Sequence, residues 1–267
     1  MNDIEFIHSK VDLSPLVGSN ILITGATGFF GTHLVNILSV VNCDLTTISG
    51  RDLTIKDKIQ GRYDYILHFA PIPIEPILEC ANRGWSTVLY ASSGAVYGGA
   101  QTMVRETDET FPKTTYGKEK LRSEFLLKES TLDYRICRLF TFAGTGMRDY
   151  FAITQFINAA KQGKPLTLFN HGNAIRSYMY IADAVVWILK ILLDGYGIYN
   201  VGSERQTSIK QLAEAISEQF TPNSRIVNDN REFHENAPYY VPDCCKAHNL
   251  GLWQWHDLDY SVRRMME

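Results

Sequence analysis

Asn20-Ile21-Leu22-Ile23-Thr24-Gly25-Ala26-Thr27-Gly28-Phe29-Phe30-Gly31 decides the fold, because a short apolar strand runs straight into glycines at i, i+3 and i+6. Past the turn, Thr32 to Val41 carries Leu34, Val35, Ile37, Leu38 and Val41 at helical spacing. Glycines in such a strand-to-helix turn let the chain bend sharply and bring its backbone against a pyrophosphate. The helix that follows then presents its N-terminal amides to that anion. The spacing differs by one residue from G-x-G-x-x-G, and its strand-before, helix-after context supports the phosphate reading.

Four further runs have the length and continuity of strands buried in a parallel sheet: Leu45 to Ser49, Tyr65 to Phe69, Thr87 to Ala91 and Arg135 to Phe140. Helical spacing falls between several of them, notably over Lys118 to Lys128. This alternation specifies an α/β fold with a Rossmann-type doubly wound parallel sheet. Two connections are short. There is little room for a full crossover helix between Ser49 and Tyr65. Between Ala70 and Thr87, Pro71, Pro73 and Pro76 delay any helix until about Pro76. Trimmed helices are therefore expected on that flank.

Beyond Gly144 the pattern predicts helices over Phe151–Gln162, Ile181–Leu193 and Ser208–Phe220, the last capped by Ser208. Strands are expected at Pro165–Phe169 and Gly197–Val201. The expected division is a Rossmann domain of residues 1–143 plus about 178–198, and a smaller C-terminal substrate-binding lobe of 144–177 plus 199–267.

The composition, 45% hydrophobic and 21% charged over 267 residues, is that of a soluble globular chain. A net charge of −3 argues against a nucleic-acid partner. No stretch approaches the roughly 18 consecutive apolar residues of a membrane span. The N-terminal sequence also lacks a signal peptide's unbroken apolar core. Five cysteines, with Cys244 and Cys245 adjacent, read as free thiols in a reducing compartment. The expected location is the cytoplasm.

The stretch Ala91-Ser92-Ser93-Gly94-Ala95-Val96-Tyr97-Gly98 directly follows a strand, at the sheet edge where ligands bind in such folds. Downstream, Tyr116 and Lys120 stand at i and i+4 on one helical face. A lysine cation near a phenol is expected to lower the phenol's pKa toward a range useful for proton transfer. A serine hydroxyl can hydrogen-bond the substrate oxygen while a nicotinamide exchanges hydride at the attached carbon.

With these motifs the sequence resembles the extended short-chain dehydrogenase/reductase family, specifically its NAD(P)-dependent nucleotide-sugar epimerase/dehydratase/reductase group. The resemblance covers nearly the whole chain. It rests on TGATGFFG (Thr24–Gly31), LHFAP (Leu67–Pro71), SSGAVYGG (Ser92–Gly99) and PKTTYGKEK (Pro112–Lys120). It continues through RLFTFAGTGM (Arg138–Met147), IRSYMYIAD (Ile175–Asp183) and IYNVGS (Ile198–Ser203). The resemblance implies Tyr116 as acid/base, Lys120 as its partner and ribose ligand, and Ser93 as the third catalytic member. For the cofactor it implies Gly25, Thr27, Gly28, Phe29, Phe30 and Gly31 around the phosphates, Asp52 and Leu53 near the adenine, and Phe69, Ala70, Ala91, Ser92 and Phe140 along the crevice. For the substrate it implies Ser93 and Thr141, with Arg176 and Arg231 gripping a nucleotide diphosphate. The implied cofactor is NAD or NADP. Arg51 follows the second strand where NAD users typically place an acid, and a guanidinium there accommodates a 2′-phosphate, which favours NADP(H). Arg51 facing solvent is the alternative.

Dehydratases of this group carry an Asp-Glu pair just after the catalytic hydroxyl, and decarboxylases a glutamate in the same stretch. Gly94 and Ala95 stand there instead, which disfavours both reactions and leaves 4-keto reduction or 4-epimerisation of a nucleotide sugar. The shortened Ala70–Thr87 segment puts the family's usual homodimer in doubt. Two other readings stay open: a dinucleotide-sensing protein without turnover, or a reductase of a non-nucleotide ketone. No metal site is expected, since no H-x-x-x-H or C-x-x-C spacing occurs and the cysteines read as structural thiols without a neighbouring histidine motif. His68 is expected to be a packed histidine, and Trp253 and Trp255 to close the core.

Overall fold

The computed structural model describes residues 2–49, 59–220, 222–229 and 239–267. Its centre is a six-stranded parallel sheet of β1 (Asn20–Thr24), β2 (Asp44–Ile48), β3 (Tyr65–His68), β4 (Thr87–Ser93), β5 (Tyr134–Leu139) and β6 (Gly197–Val201). The strand order is β6-β5-β4-β3-β1-β2. After β2 the chain crosses over to the other side of β1, so the carboxyl ends of β1 and β3 diverge at a topological switch point. The more usual 3-2-1-4-5-6 order places one more strand beyond β2, and no such strand exists among the described residues. Register aligns Thr24 with His68 and Ser93 with Leu139, bringing the carboxyl ends to one edge.

The strands are covered on both faces, which is why they read as continuous apolar runs and not as alternation. One face packs α1 (Asp3–Lys10), α2 (Phe29–Leu38) and the central helix α6 (Ile181–Asp194). That helix is apolar on nearly every side because it lies between the sheet and α1. Trp187 within it is 1% exposed, and its truncation to alanine would cost about 3–5 kcal/mol. The opposite face packs α3 (Glu75–Gly84) and α4 (Thr115–Glu129). A separate apolar cluster joins α5 (Ala152–Lys161), α7 (Ile209–Ser217) and α9 (Leu258–Met266), with α8 (Cys245–His248) beside β6.

The predicted elements are present with shifted ends. Helix α2 starts at Phe29, three residues early, because Gly28 already has the extended backbone of an N-cap. The proline-rich segment opens α3 at Glu75 with Pro76 in its first turn, and the helix is short, ten residues. Ser208 caps α7 in a capping box with Gln211. Trp253 and Trp255 depart from expectation: they are 55% and 36% exposed, because in the Trp-Gln-Trp sequence it is Gln254 that turns inward, to Ser203 and the His256 carbonyl. All five cysteines are free. Among the described residues no helix is long and apolar enough to cross a membrane.

Candidate active site

The glycine turn is built by close contact. A Cβ on Gly25, whose φ is +76°, would stand 2.8 Å from the Phe69 carbonyl carbon and the Ala70 amide nitrogen. One on Gly31 would stand 2.1 Å from the Gly25 carbonyl oxygen. The backbone leaving β1 therefore lies against the chain leaving β3 and under the first turn of α2. No side chain caps that turn, so its leading amides face outward for an anion. Phe30 stacks on Phe69 beside it, with ring centroids 5.7 Å apart, and Thr27 is exposed.

Two strands away, Ser93 closes β4 and its Oγ accepts the Ala95 amide at 3.2 Å, starting a short 3-10 turn. Helix α4 begins against that turn, capped by Thr114. Gly117 permits the approach: a Cβ there would meet the Ala95 carbonyl at 2.8 Å. Tyr116 is thereby set beside Ser93, and Lys120 lies one turn deeper, 8% exposed.

The electrostatics correct the expectation from sequence. Lys120 Nζ donates to the Ala91 carbonyl at 2.6 Å and stands 5.7 Å from the Tyr116 ring centroid. Burial pushes Lys120 itself down to about 8, with Glu124 and Glu119 opposing. Burial also raises the Tyr116 phenol, and the hydrogen bond with Ser93 only partly offsets it. The phenol is therefore protonated at neutral pH.

Behind the site runs a buried network. Ser92 donates to Glu124, and Arg138 holds both oxygens of Glu124 at 3.0 and 2.8 Å. Arg138 also donates to the Tyr97 hydroxyl, which donates to Asn200 at 2.8 Å. The Ser92 hydroxyl is thus committed to the interior. His68 is packed as expected, bonded to Thr24 Oγ1 at 2.6 Å and stacked on Tyr90.

Tyr240 is the residue that sequence reasoning missed. Its ring packs on Phe140 and its hydroxyl reaches Ser93. Gly94 makes room for it: a Cβ at position 94 would lie 2.7 Å from the Tyr240 hydroxyl and 2.9 Å from the Phe140 ring. Arg176 stands 5.9 Å from the same tyrosine ring and donates to its neighbour's Ile175 carbonyl. Thr141 is half-buried next to Phe140. Arg51, Asp52, Leu53 and Arg231 lie outside the described residues.

The profile of the NAD dependent epimerase/dehydratase family matches residues 74–202. Among curated relatives, the uncharacterized UDP-glucose epimerase YtcB of Bacillus subtilis is 28% identical, over 74% of this chain and 81% of that protein. UDP-glucuronic acid decarboxylase 4 of Arabidopsis thaliana is 23% identical over 88% of this chain, which spans only 64% of that protein's length. Among solved structures, RMD from Pseudomonas aeruginosa complexed with NADPH superposes with a TM-score of 0.80 at 22% identity, covering 93% of this chain and 97% of that one. With the glycine turn, the strand order and these matches together, residues 74–202 are similar to the NAD dependent epimerase/dehydratase family, and the chain shares the Rossmann fold of the solved structures it superposes on.

Proposed function

We propose that this chain catalyses NAD(P)-dependent redox at a carbon of a nucleotide-activated sugar, as a 4-epimerase or a 4-keto reductase. The observation that carries the reading is the convergence of Ser93, Tyr116 and Lys120 beside a glycine cradle that any Cβ would fill. The cradle fits a dinucleotide, with Gly25, Gly28 and Gly31 and the first amides of α2 taking the phosphates, and the crevice between β1 and β3 the rest. Bound there, the nicotinamide supplies the hydride acceptor or donor. Both NAD and NADP suit the described residues, in keeping with similar solved structures that hold NADPH in one case and NAD in another.

Tyr116 returns a proton to the substrate oxygen when the carbon is reduced, the direction for which its protonated phenol is already set. As a base it must first lose that proton, and the Lys120 ammonium, which keeps two donors beyond the one given to the Ala91 carbonyl, favours the phenolate when it faces the phenol oxygen. Ser93 hydrogen-bonds the same substrate oxygen and fixes it against Tyr116. Thr141 and Arg176 lie on the substrate side, with Arg176 offering its guanidinium to a diphosphate. Position 94 has no side chain to act as an acid, and a Cβ there would crowd the Tyr240 hydroxyl and the Phe140 ring, which supports reading against elimination or decarboxylation. We divide the chain into a Rossmann lobe and a C-terminal substrate lobe, moving the second boundary from 198 to 201 because β6 pairs whole with β5.

The test is nicotinamide absorbance with a panel of nucleotide-hexoses and nucleotide-4-keto-sugars, product stereochemistry being read by NMR. Stoichiometric consumption of NADH or NADPH identifies a reductase. Interconversion of hexoses without net consumption identifies an epimerase. Tyr116→Phe should lower either rate at least about 10²-fold with binding kept. Cofactor binding with no turnover on any substrate would instead favour a dinucleotide sensor.

A further inference from the structure

Beside β6, Cys245 and His248 lie one turn apart in α8, so both project from the same side of the helix. Across from them Glu204 stands in the loop that leaves β6. The Cys245 sulfur, a His248 ring nitrogen and a Glu204 carboxylate oxygen all lie within 4.8 Å of one another. Donors at the corners of a tetrahedral zinc site, with bonds of about 2.0–2.3 Å, are separated by about 3.3–3.8 Å. Side-chain rotation of about an ångström therefore closes these three onto one ion.

Two of the three donors are already held in place. The Cys244 amide donates to Glu204 Oε1 at 2.8 Å, leaving Oε2 turned toward His248 Nε2 at 3.5 Å. The His248 ring lies flat on Trp253, with centroids 4.2 Å apart and planes 11° from parallel, and meets Trp187 edge-on. The exposed Trp253 ring is thus the platform on which His248 lies. Cys244 is no competitor: its thiol is buried and donates to the Gly202 carbonyl, while Cys245 is exposed. An exposed glutamate–histidine pair is by itself ordinary. The added sulfur donor gives a mixed S, N, O set suited to thiophilic divalent metals.

We infer that Glu204, Cys245 and His248 form a binding site for a thiophilic divalent metal ion, zinc being the common member of that class, with one coordination position open to solvent. The expectation of no metal site missed it because the spacing is C-x-x-H, neither of the patterns sought, and Glu204 joins from another element. Metal there ties the loop after β6 to the segment that carries Tyr240, three residues before Asp243, whose carboxylate accepts the Cys245 amide.

The test uses the full chain, reduced and stripped with a chelator, then titrated with Co²⁺ as a spectroscopic probe and with Zn²⁺ in thermal melts. One equivalent of Co²⁺ should produce a thiolate-to-cobalt charge-transfer band, and Zn²⁺ should raise Tm. Cys245→Ser should abolish both effects. Glu204→Gln, which keeps an acceptor for the Cys244 amide, should weaken them, and Cys244→Ser should leave the band in place. Absence of the band in the unsubstituted chain, or its persistence in Cys245→Ser, overturns the assignment. Neither readout depends on enzymatic activity, so failure here is distinct from failure of the proposed reaction.

Discussion

The Tyr240 hydroxyl lies 3.4 Å from Ser93 Oγ and donates to the Leu139 carbonyl at 3.3 Å, although Tyr240 and Ser93 stand 147 positions apart. Either hydroxyl can donate in the Tyr240–Ser93 contact, so the tyrosine restricts the directions open to the serine hydroxyl. Tyr240→Phe should lower kcat roughly two- to tenfold, the worth of one hydrogen bond of about 0.5–1.5 kcal/mol, with the fold intact. Steady-state kinetics check this, and unchanged kcat and KM would separate Tyr240 from the site.

Lys120 is held down to about 8 by burial, against an ordinary 10.5. Below about pH 8 both folded and unfolded chains carry the charge, and the folded state bears the full penalty. Between about 8 and 10.5 the unfolded chain binds more protons, so the penalty fades as pH rises. Lys120→Met should therefore be inactive yet more stable at pH 7, by up to about 3 kcal/mol. Urea denaturation at pH 7 and again near pH 10 should show that advantage shrinking.

Arg138 and Glu124 pair with side chains 3% and 0% exposed. Arg138→Met leaves the Glu124 carboxylate buried without its partner, at a cost of about 3–5 kcal/mol. Pairing it with Glu124→Leu should recover most of that loss, because the stranded charge is gone. Chemical denaturation of the two variants distinguishes a buried pair from an incidental contact.

His68, wholly buried, is pushed down to about 3 from 6.5, mainly by desolvation and secondarily by Lys120. It stays neutral in the folded chain while the unfolded chain protonates. Stability should be full above about pH 6.5 and fall by about 1.4 kcal/mol per pH unit below it, until about pH 3. His68→Gln should flatten that slope in denaturation curves across this range.

The β1–glycine–α2 passage and the buried strands were legible because each obeys a local rule, a period or a turn, within a dozen residues. Ser93, Tyr116 and Lys120 were legible as motifs, and the contact that unites them depends on Gly117 against Ala95. The lysine's effect on the phenol was misjudged because spacing on a helix says nothing of burial, which here governs both groups. Tyr240 left no local signal, since only the tertiary fold brings it to Ser93. Glu124 on α4 left no signal in the sequence either, since its role comes from Arg138 on β5, which only the tertiary fold brings to it.

The missing Cβ at position 94 also constrains how this chain can diverge. Installing an acidic side chain there, the first step toward elimination chemistry, collides with both Tyr240 and Phe140. A side chain at position 94 therefore displaces the ring or hydroxyl of one of these two neighbours, and Tyr240 is the one that reaches Ser93. Substitution at position 94 is thus coupled to the setting of the serine, so that a change made for one reaction is felt at the hydroxyl that serves the other.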